Sequence, residues 1–101
     1  MEFENIGMSM DIEGSSMVGY INCGYAKLVE LFGEPTEADG FKVDAMWDLR
    51  FADGTIATIY NWKDGKNYQG PNGLSVEQIT QWHVGGFDEI ATQRVKEAIH
   101  G

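Results

Sequence analysis

The sequence has a single cysteine, Cys23, and no long apolar run. A lone cysteine cannot form an internal disulfide or a cysteine-built zinc site, and it is typical of a protein kept in a reducing compartment. No segment approaches the roughly 20 apolar residues that a membrane span needs. Residues 1–5 are acidic and lack the basic and apolar zones of a signal peptide. These absences favour a cytoplasmic protein that does not enter a membrane.

Basic residues are also scarce, with 7 Lys and Arg against 16 Asp and Glu, and the formal net charge is −9. The imbalance lies in residues 1–53, which hold eleven acidic and three basic residues, whereas residues 54–101 hold five and four. Direct binding to nucleic acid depends on clustered Lys and Arg that neutralise phosphates, so it is disfavoured. The second half is nevertheless compatible with a small anion.

What the chain does contain is 43% hydrophobic and 12% aromatic residues in 101 positions. That composition indicates a folded globule rather than a disordered segment. The length predicts one domain over residues 1–101. A domain of this size buries a modest core, so assembly into a homo-oligomer would add stability.

A β-hairpin over residues 42–62 is the clearest structural signal. Apolar and polar residues alternate from Val43 to Phe51, which is the period of a half-buried strand. The dipeptide Asp53-Gly54 favours a two-residue turn, and a β-rich run follows it. That loop length predicts a register in which Trp47 faces Tyr60, with both rings on an apolar face.

Two helices and further strands complete the expected fold. The segment 25–32 has helical apolar spacing, with Asn22 as a candidate cap and Gly33 before Pro35 as a stop. A final helix over 89–99 would follow a cap at Asp88. Weaker patterns predict strands over 6–12, 19–22 and 79–84, a helical turn capped by Ser75, and a loop over 63–73. The expected class is α+β: a small antiparallel sheet, hairpin 42–62 plus further strands, with two helices packed on one face.

Catalytic and metal-binding patterns are weak. His83 and His100 are the only histidines, and hydrolytic metal centres need two or more convergent ligands. Cys23 with His83 would make a nucleophile and base, but no third orienting group is evident. The sequence therefore predicts no enzyme, no metal and no cofactor.

Aromatic and basic residues interleave after Gly54 in a pattern that suits a nucleotide. Rings provide stacking platforms for a base or ribose, and cationic groups provide charge for phosphates. For the indoles and Tyr60, filling the core is the competing interpretation. The candidate ligand-binding residues are Tyr60, Trp62, Lys63, Lys66, Tyr68, Trp82, His83 and Arg94.

The acidic first half supports a different hypothesis. A row of carboxylates can imitate a phosphate backbone and occupy the nucleic-acid channel of a host enzyme. Such a protein would be a DNA mimic or would mask a host defence protein; a virion assembly factor is a more distant alternative. The carboxylates of this hypothesis are Glu30, Glu34, Glu37, Asp39, Asp44 and Asp48.

About two thirds of the chain, from Val18 to Gly86, resembles a recurrent kind of small protein encoded by tailed bacteriophages. The shared features are the Phe-Gly-Glu-Pro segment at 32–35, the Phe-Ala-Asp-Gly segment at 51–54, the Ala-Thr-Ile-Tyr-Asn-Trp-Lys segment at 57–63 and the Trp-His-Val-Gly-Gly segment at 82–86. The resemblance implies a phage accessory protein in the host bacterial cytoplasm, of a kind that often counters host defence. The expected function is a homo-oligomer that sequesters a nucleotide-derived immune signal, a cyclic nucleotide or an ADP-ribose derivative.

Overall fold

The computed structural model of the chain describes residues 2–5, 16–35, 45–62 and 65–100, and for Lys66 and Asn67 it describes the backbone alone. The strand expected over 6–12 lies outside these ranges. The elements in chain order are β1 (Phe3–Asn5), β2 (Ser16–Asn22), α1 (Tyr25–Phe32), β3 (Met46–Phe51), β4 (Ile56–Tyr60), α2 (Lys66–Gln69), 3₁₀ turns at Gly70–Asn72 and Val76–Gln78, β5 (Gln81–Gly86) and α3 (Ile90–His100).

The five strands form one sheet in the order β1-β3-β4-β5-β2, and every neighbouring pair is antiparallel. Helices α1 and α3 contact each other, and α3 also packs on β2, β5 and β4. Side chains of both helices enter one core with those of a single face of the sheet. The predicted α+β class, with a small antiparallel sheet and helices packed against it, is therefore confirmed.

The hairpin forms as expected, but its register differs from the predicted one by a single residue. The loop has three residues, not two: Phe51 N donates to Thr55 O at 2.8 Å, and Gly54 has φ of 89°. A turn followed by a glycine at positive φ is a common three-residue hairpin loop. Trp47 consequently faces Ile59, and Tyr60 faces Met46. Because side chains alternate along a strand, this shift moves Tyr60 to the opposite face from Trp47.

The helix ends follow the sequence signals with one correction. The residue that caps α1 is Gly24, with no side-chain hydrogen bond, so Asn22 does not serve as its cap. Gly33 ends α1 with φ of 86°, a conformation that favours glycine. Asp88 caps α3, since its carboxylate accepts a hydrogen bond from Ile90 N at 2.8 Å. Ser75 and Gln78 form the capping box that their spacing predicts.

Two fully buried indoles fix α1 against the sheet. Trp82 Nε1 donates to Cys23 O at 2.9 Å, just before the helix, and Trp47 Nε1 donates to Gly33 O at 2.8 Å, just after it. The two rings meet edge to face at 5.4 Å. Buried indole N–H groups need acceptors, and here both ends of one helix supply them.

Candidate functional site

The side of the sheet opposite α1 and α3, here called the far face, holds a row of four rings. Tyr20 on β2, His83 on β5 and Tyr60 on β4 lie directly opposite one another across the three strands. Trp62 follows two residues after Tyr60. We call these four residues, Tyr20, His83, Tyr60 and Trp62, the aromatic ladder.

Consecutive rings of the aromatic ladder contact one another edge to face. The centroid distances are 4.9 Å from Tyr20 to His83, 5.4 Å from His83 to Tyr60 and 6.3 Å from Tyr60 to Trp62. Distances and angles of this kind stabilise aromatic pairs beyond simple burial. The ladder is thus a continuous row of rings from three strands and from the segment after β4, rather than a set of isolated side chains.

The two ends of the aromatic ladder are exposed and its centre is half-buried. Tyr20 is 44% exposed and Trp62 is 41% exposed, whereas Tyr60 and His83 are intermediate. Burial, and secondarily repulsion from the Tyr20 phenolate at high pH, raises the pKa of the Tyr60 hydroxyl, which therefore keeps its proton at neutral pH. The ladder offers ring surface for stacking, together with hydroxyl and imidazole groups for hydrogen bonds.

Close packing beside the ladder depends on a glycine. A Cβ on Gly85 would collide with Thr58 Oγ1 and would approach Tyr60 Cε1 to 3.4 Å. Glycine at this position lets the side chains of β4 lie across β5. Tyr60 can then lie in line with His83, so Gly85 shapes the site.

A buried carboxylate lies in the next row of the far face. Asp48 pairs with Thr58 across the hairpin and is 3% exposed, and its Oδ1 has no hydrogen-bond partner in the described part of the chain. Burial raises the pKa of this carboxyl. The expected row of surface carboxylates therefore loses Asp48, while Glu30 and Glu34 are exposed and Glu37, Asp39 and Asp44 lie outside the described residues.

A groove borders the aromatic ladder at Tyr20. It runs between β2 and α3, has a volume of about 600 Å³, and continues past His100 into a smaller one of about 310 Å³. The groove contains Thr92, whose Oγ1 is buried without a partner among the described residues. Charged residues line the groove near both ends of α3, with Glu89 near its start and Lys96 and Glu97 towards its end. The groove lining includes Val18, Gly19, Tyr20, Glu89, Lys96 and His100.

Comparisons with known proteins give no assignment. The chain matches no protein-family profile and no curated protein. Its function has to be argued from the geometry.

Of the eight predicted ligand-binding residues, the structure brings three together in the aromatic ladder: Tyr60, Trp62 and His83. Trp82 is fully buried on the helix-covered face, so it has no surface to offer a ligand. Arg94 is also elsewhere: its guanidinium pairs with Asp53 at 2.9 Å and Glu97 at 2.7 Å. These contacts join α3 to the hairpin loop, away from the aromatic ladder, and the predicted role of Arg94 at a phosphate stays a prediction.

The remaining three predicted residues follow the hairpin. Tyr68 lies on the short helix α2 and is 40% exposed. Lys63 lies outside the described residues, and for Lys66 only the backbone is described. Their contribution of positive charge remains a prediction.

The sequence reasoning missed Tyr20, the exposed end of the ladder. The signal that identifies it is the pairing of β2 with β5, which places Tyr20 opposite His83. Strand order within a sheet joins residues far apart in the chain, and no local pattern encodes it.

Catalytic features are weak in the described residues. Burial raises the pKa of the Cys23 thiol, which makes the thiol a poor nucleophile at neutral pH. No group of three His, Cys, Asp or Glu among these residues has the geometry to hold a metal ion. None of the described helices is both long and apolar enough to span a membrane.

Proposed function

We propose that this protein is a non-enzymatic binding protein that captures a small nucleotide-derived ligand on the aromatic ladder. The observation that carries the proposal is the row of four rings, each in contact with the next, contributed by three strands and by the segment after β4 and exposed at both ends. Stacking on exposed aromatic rings contributes about 1–3 kcal/mol per base, whatever the base. Such a surface therefore suits a ligand that has one or two bases.

The charge distribution supports a small ligand rather than a long nucleic acid. The net charge of −9 opposes binding of a polyanion, whose affinity grows with the number of phosphates neutralised. A cyclic nucleotide or an ADP-ribose derivative brings few phosphates and one or two bases. Lys63 and Lys66 follow the ladder directly in sequence and are the proposed phosphate partners.

The resemblance to small proteins of tailed bacteriophages supplies the biological context of the proposal. A phage protein without catalytic groups can counter a nucleotide-based immune response by removing the signal from solution. Sequestration requires tight stoichiometric binding but no chemistry, so the proposal needs no catalytic group. Action in the host cytoplasm is part of the same proposal.

A ligand panel tests the proposal directly. Cyclic dinucleotides, cyclic ADP-ribose isomers and ADP-ribose are added in turn, and the melting temperature and the heat of binding are measured. A ligand that binds only the folded state raises the melting temperature, by the equivalent of about 2.7 kcal/mol at 100 times its Kd. We expect at least one of these compounds to bind.

Paired variants then locate the site. Trp62→Ala and Tyr20→Ala should each weaken binding roughly tenfold or more, since each removes an exposed stacking surface. Phe87→Ala is the matched control, because Phe87 is 56% exposed but is not part of the ladder. Equal losses in the Phe87 and Trp62 variants, or no binding across the panel, would contradict the proposal.

A further inference from the structure

The segment that follows the aromatic ladder closes on itself. Residues 65–74, here called the closed loop, contain helix α2 and then the 3₁₀ turn Gly70–Asn72. The two ends of the loop meet in an isolated bridge between Gly65 and Leu74. A compact surface segment with its ends close together is an Ω loop. Surface loops open at a lower free energy than the core of a protein, so this segment can open while the sheet stays folded.

Glycine is required where the two ends of the closed loop meet. A Cβ on Gly73 would collide with the carbonyl group of Gly65 and with Gln69 Cβ. Glycine, which has no Cβ, allows two backbone segments to approach this closely. Closure of the loop therefore requires a glycine directly after Asn72. Of the five asparagines in the chain, Asn72 alone precedes a glycine.

An asparagine that precedes a glycine can react with its own backbone. The nitrogen of the following residue attacks the side-chain carbonyl carbon and forms a C–N bond, and the side-chain nitrogen leaves as ammonia. Water then opens the resulting succinimide ring at either carbonyl, which gives aspartate or isoaspartate. Glycine has no side chain to obstruct the attack. Asparagine counts among the thermolabile residues of proteins for this reason.

The structure exposes the Asn72 side chain but occupies the nitrogen that would attack it. The side-chain amide of Asn72 is exposed and makes no hydrogen bond with another described residue. Gly73 N, in contrast, donates a hydrogen bond to Gly70 O at 2.9 Å and so closes the 3₁₀ turn. Gly70 has φ of 71°, a conformation that favours glycine. The reaction therefore requires the turn to open and release the Gly73 nitrogen.

We propose that Asn72 is a site of spontaneous deamidation, and that opening of the closed loop controls its rate. Water is the co-reactant and ammonia is the leaving group, so the reaction needs no enzyme. In the isoaspartate product the main chain runs through the former side chain and is one carbon longer. A chain lengthened between Asn72 and Gly73 does not fit both the turn and the Gly65–Leu74 bridge. Deamidation thus converts a closed loop into an open one irreversibly.

The conversion has a consequence for the ligand site, and this part of the inference rests on the proposed function. The closed loop carries Tyr68, which is 40% exposed, and Lys66, a proposed phosphate partner. Either product of the reaction adds a negative charge to this loop. Asn72→Asp, which introduces the charge without lengthening the main chain, should therefore weaken binding of the nucleotide that the ligand panel identifies.

Mass spectrometry tests the modification without any ligand. The folded chain is incubated at mildly alkaline pH, which speeds the reaction because the attacking nitrogen must lose its proton. Peptides are then examined for exchange of an amide for a carboxylate, and isoaspartate is detected with an isoaspartyl methyltransferase. We expect Asn72 to react before any other asparagine, and more slowly in the folded chain than in denaturant. Asn72→Gln should remove the signal.

Two glycine variants test whether the loop controls the rate. Gly70→Ala strains the turn that holds the Gly73 nitrogen, because alanine disfavours positive φ, and it should speed deamidation roughly tenfold. Gly54→Ala is the matched control, since Gly54 also has positive φ and open space for a Cβ but lies in the hairpin loop. It should leave the rate within about threefold of the wild type, as expected for a distant site.

Three outcomes would overturn the proposal. The first is an Asn72 that stays intact in both the wild type and Gly70→Ala after the denatured chain has reacted completely. The others are equal rates in Gly70→Ala and Gly54→Ala, and equal rates in the folded and denatured chains.

The ligand panel separates this inference from the proposed function. Deamidation at Asn72 in a chain that binds no nucleotide supports the modification site and refutes the nucleotide proposal. A chain that binds a nucleotide with the same affinity in Asn72→Asp supports the proposed function and refutes the link between the loop and the ligand.

Discussion

The two faces of the sheet use aromatic residues in opposite ways. On the helix-covered face, Trp47 and Trp82 are fully enclosed and their N–H groups bond the backbone at the ends of α1. On the far face, Tyr20 and Trp62 keep more than a third of their surface exposed. One face therefore provides stability, while the other leaves ring surface exposed. Composition alone cannot separate these two uses of a ring.

The largest expected difference in the free energy of unfolding is between variants that lack one indole of either face. Trp82→Ala should lower the free energy of unfolding by about 3–5 kcal/mol, because it leaves a cavity and an unpaired Cys23 carbonyl. Trp62→Ala should lower it by a smaller amount, about 0.5–1.5 kcal/mol, because it removes one edge-to-face contact with Tyr60 but no enclosed ring. Denaturant titration measures both values. If the Trp82 variant does not fold, Trp82→Phe keeps most of the volume and should still cost more than Trp62→Ala.

The next largest effect on stability is expected at Asp48. This residue is a buried polar group on the far face, and its burial costs stability. Its carboxyl is 3% exposed, has an unpartnered Oδ1 and has a raised pKa, so ionisation is disfavoured in the folded state. Asp48→Asn should therefore stabilise the protein at neutral pH by about 1–3 kcal/mol.

The stabilisation expected from Asp48→Asn should depend on pH with a definite sign. A raised folded-state pKa means that the stability of the wild type is complete below the unfolded pKa of about 3.9 and falls as the pH rises through the folded value. The advantage of Asp48→Asn should consequently grow as the pH is raised from about 4 and then level off. A stability difference that is constant with pH would show that ionisation of Asp48 is not its source.

Asp53, in the hairpin loop, should have the smallest effect on stability. The pH dependence of its contribution is opposite in sign to that of Asp48. Hydrogen bonds from Thr55 and the nearby Arg94 lower its pKa to about 2. Its stabilising contribution is therefore present above about pH 4 and is lost as the pH falls through about 2. Asp53→Asn should lower the melting temperature slightly at neutral pH and flatten its dependence between those values. Arg94→Ala should produce part of the same change, while an effect on ligand binding would return Arg94 to the site.

The local elements of the fold were predictable, because their signals lie within a few residues of each other. Helix α1 begins and ends at the predicted residues, and the segment predicted for α3 over 89–99 is shifted by one. The hairpin was also predictable, but Asp53-Gly54 fits both a two-residue and a three-residue loop. The choice between them decides the face on which Tyr60 lies. Local sequence leaves that choice open.

The candidate site was predictable only in part, because it depends on which strands are neighbours. Tyr60, Trp62 and His83 have recognisable sequence signals, yet Trp82, adjacent to His83, points to the other face. Alternation along β5 separates these two neighbours, and pairing with β2 adds Tyr20. A binding surface that crosses a sheet is formed by residues that lie far apart in the sequence.

The unequal environments of the three tryptophans have a practical consequence for the study of this chain. Two indoles are enclosed and one, Trp62, is exposed at the end of the ladder. In the native state, a soluble collisional quencher such as acrylamide will reach Trp62 alone, whereas on denaturation all three emissions become quenchable. Intrinsic fluorescence thus contains two separable signals, one for occupancy of the far face and one for unfolding, without any label.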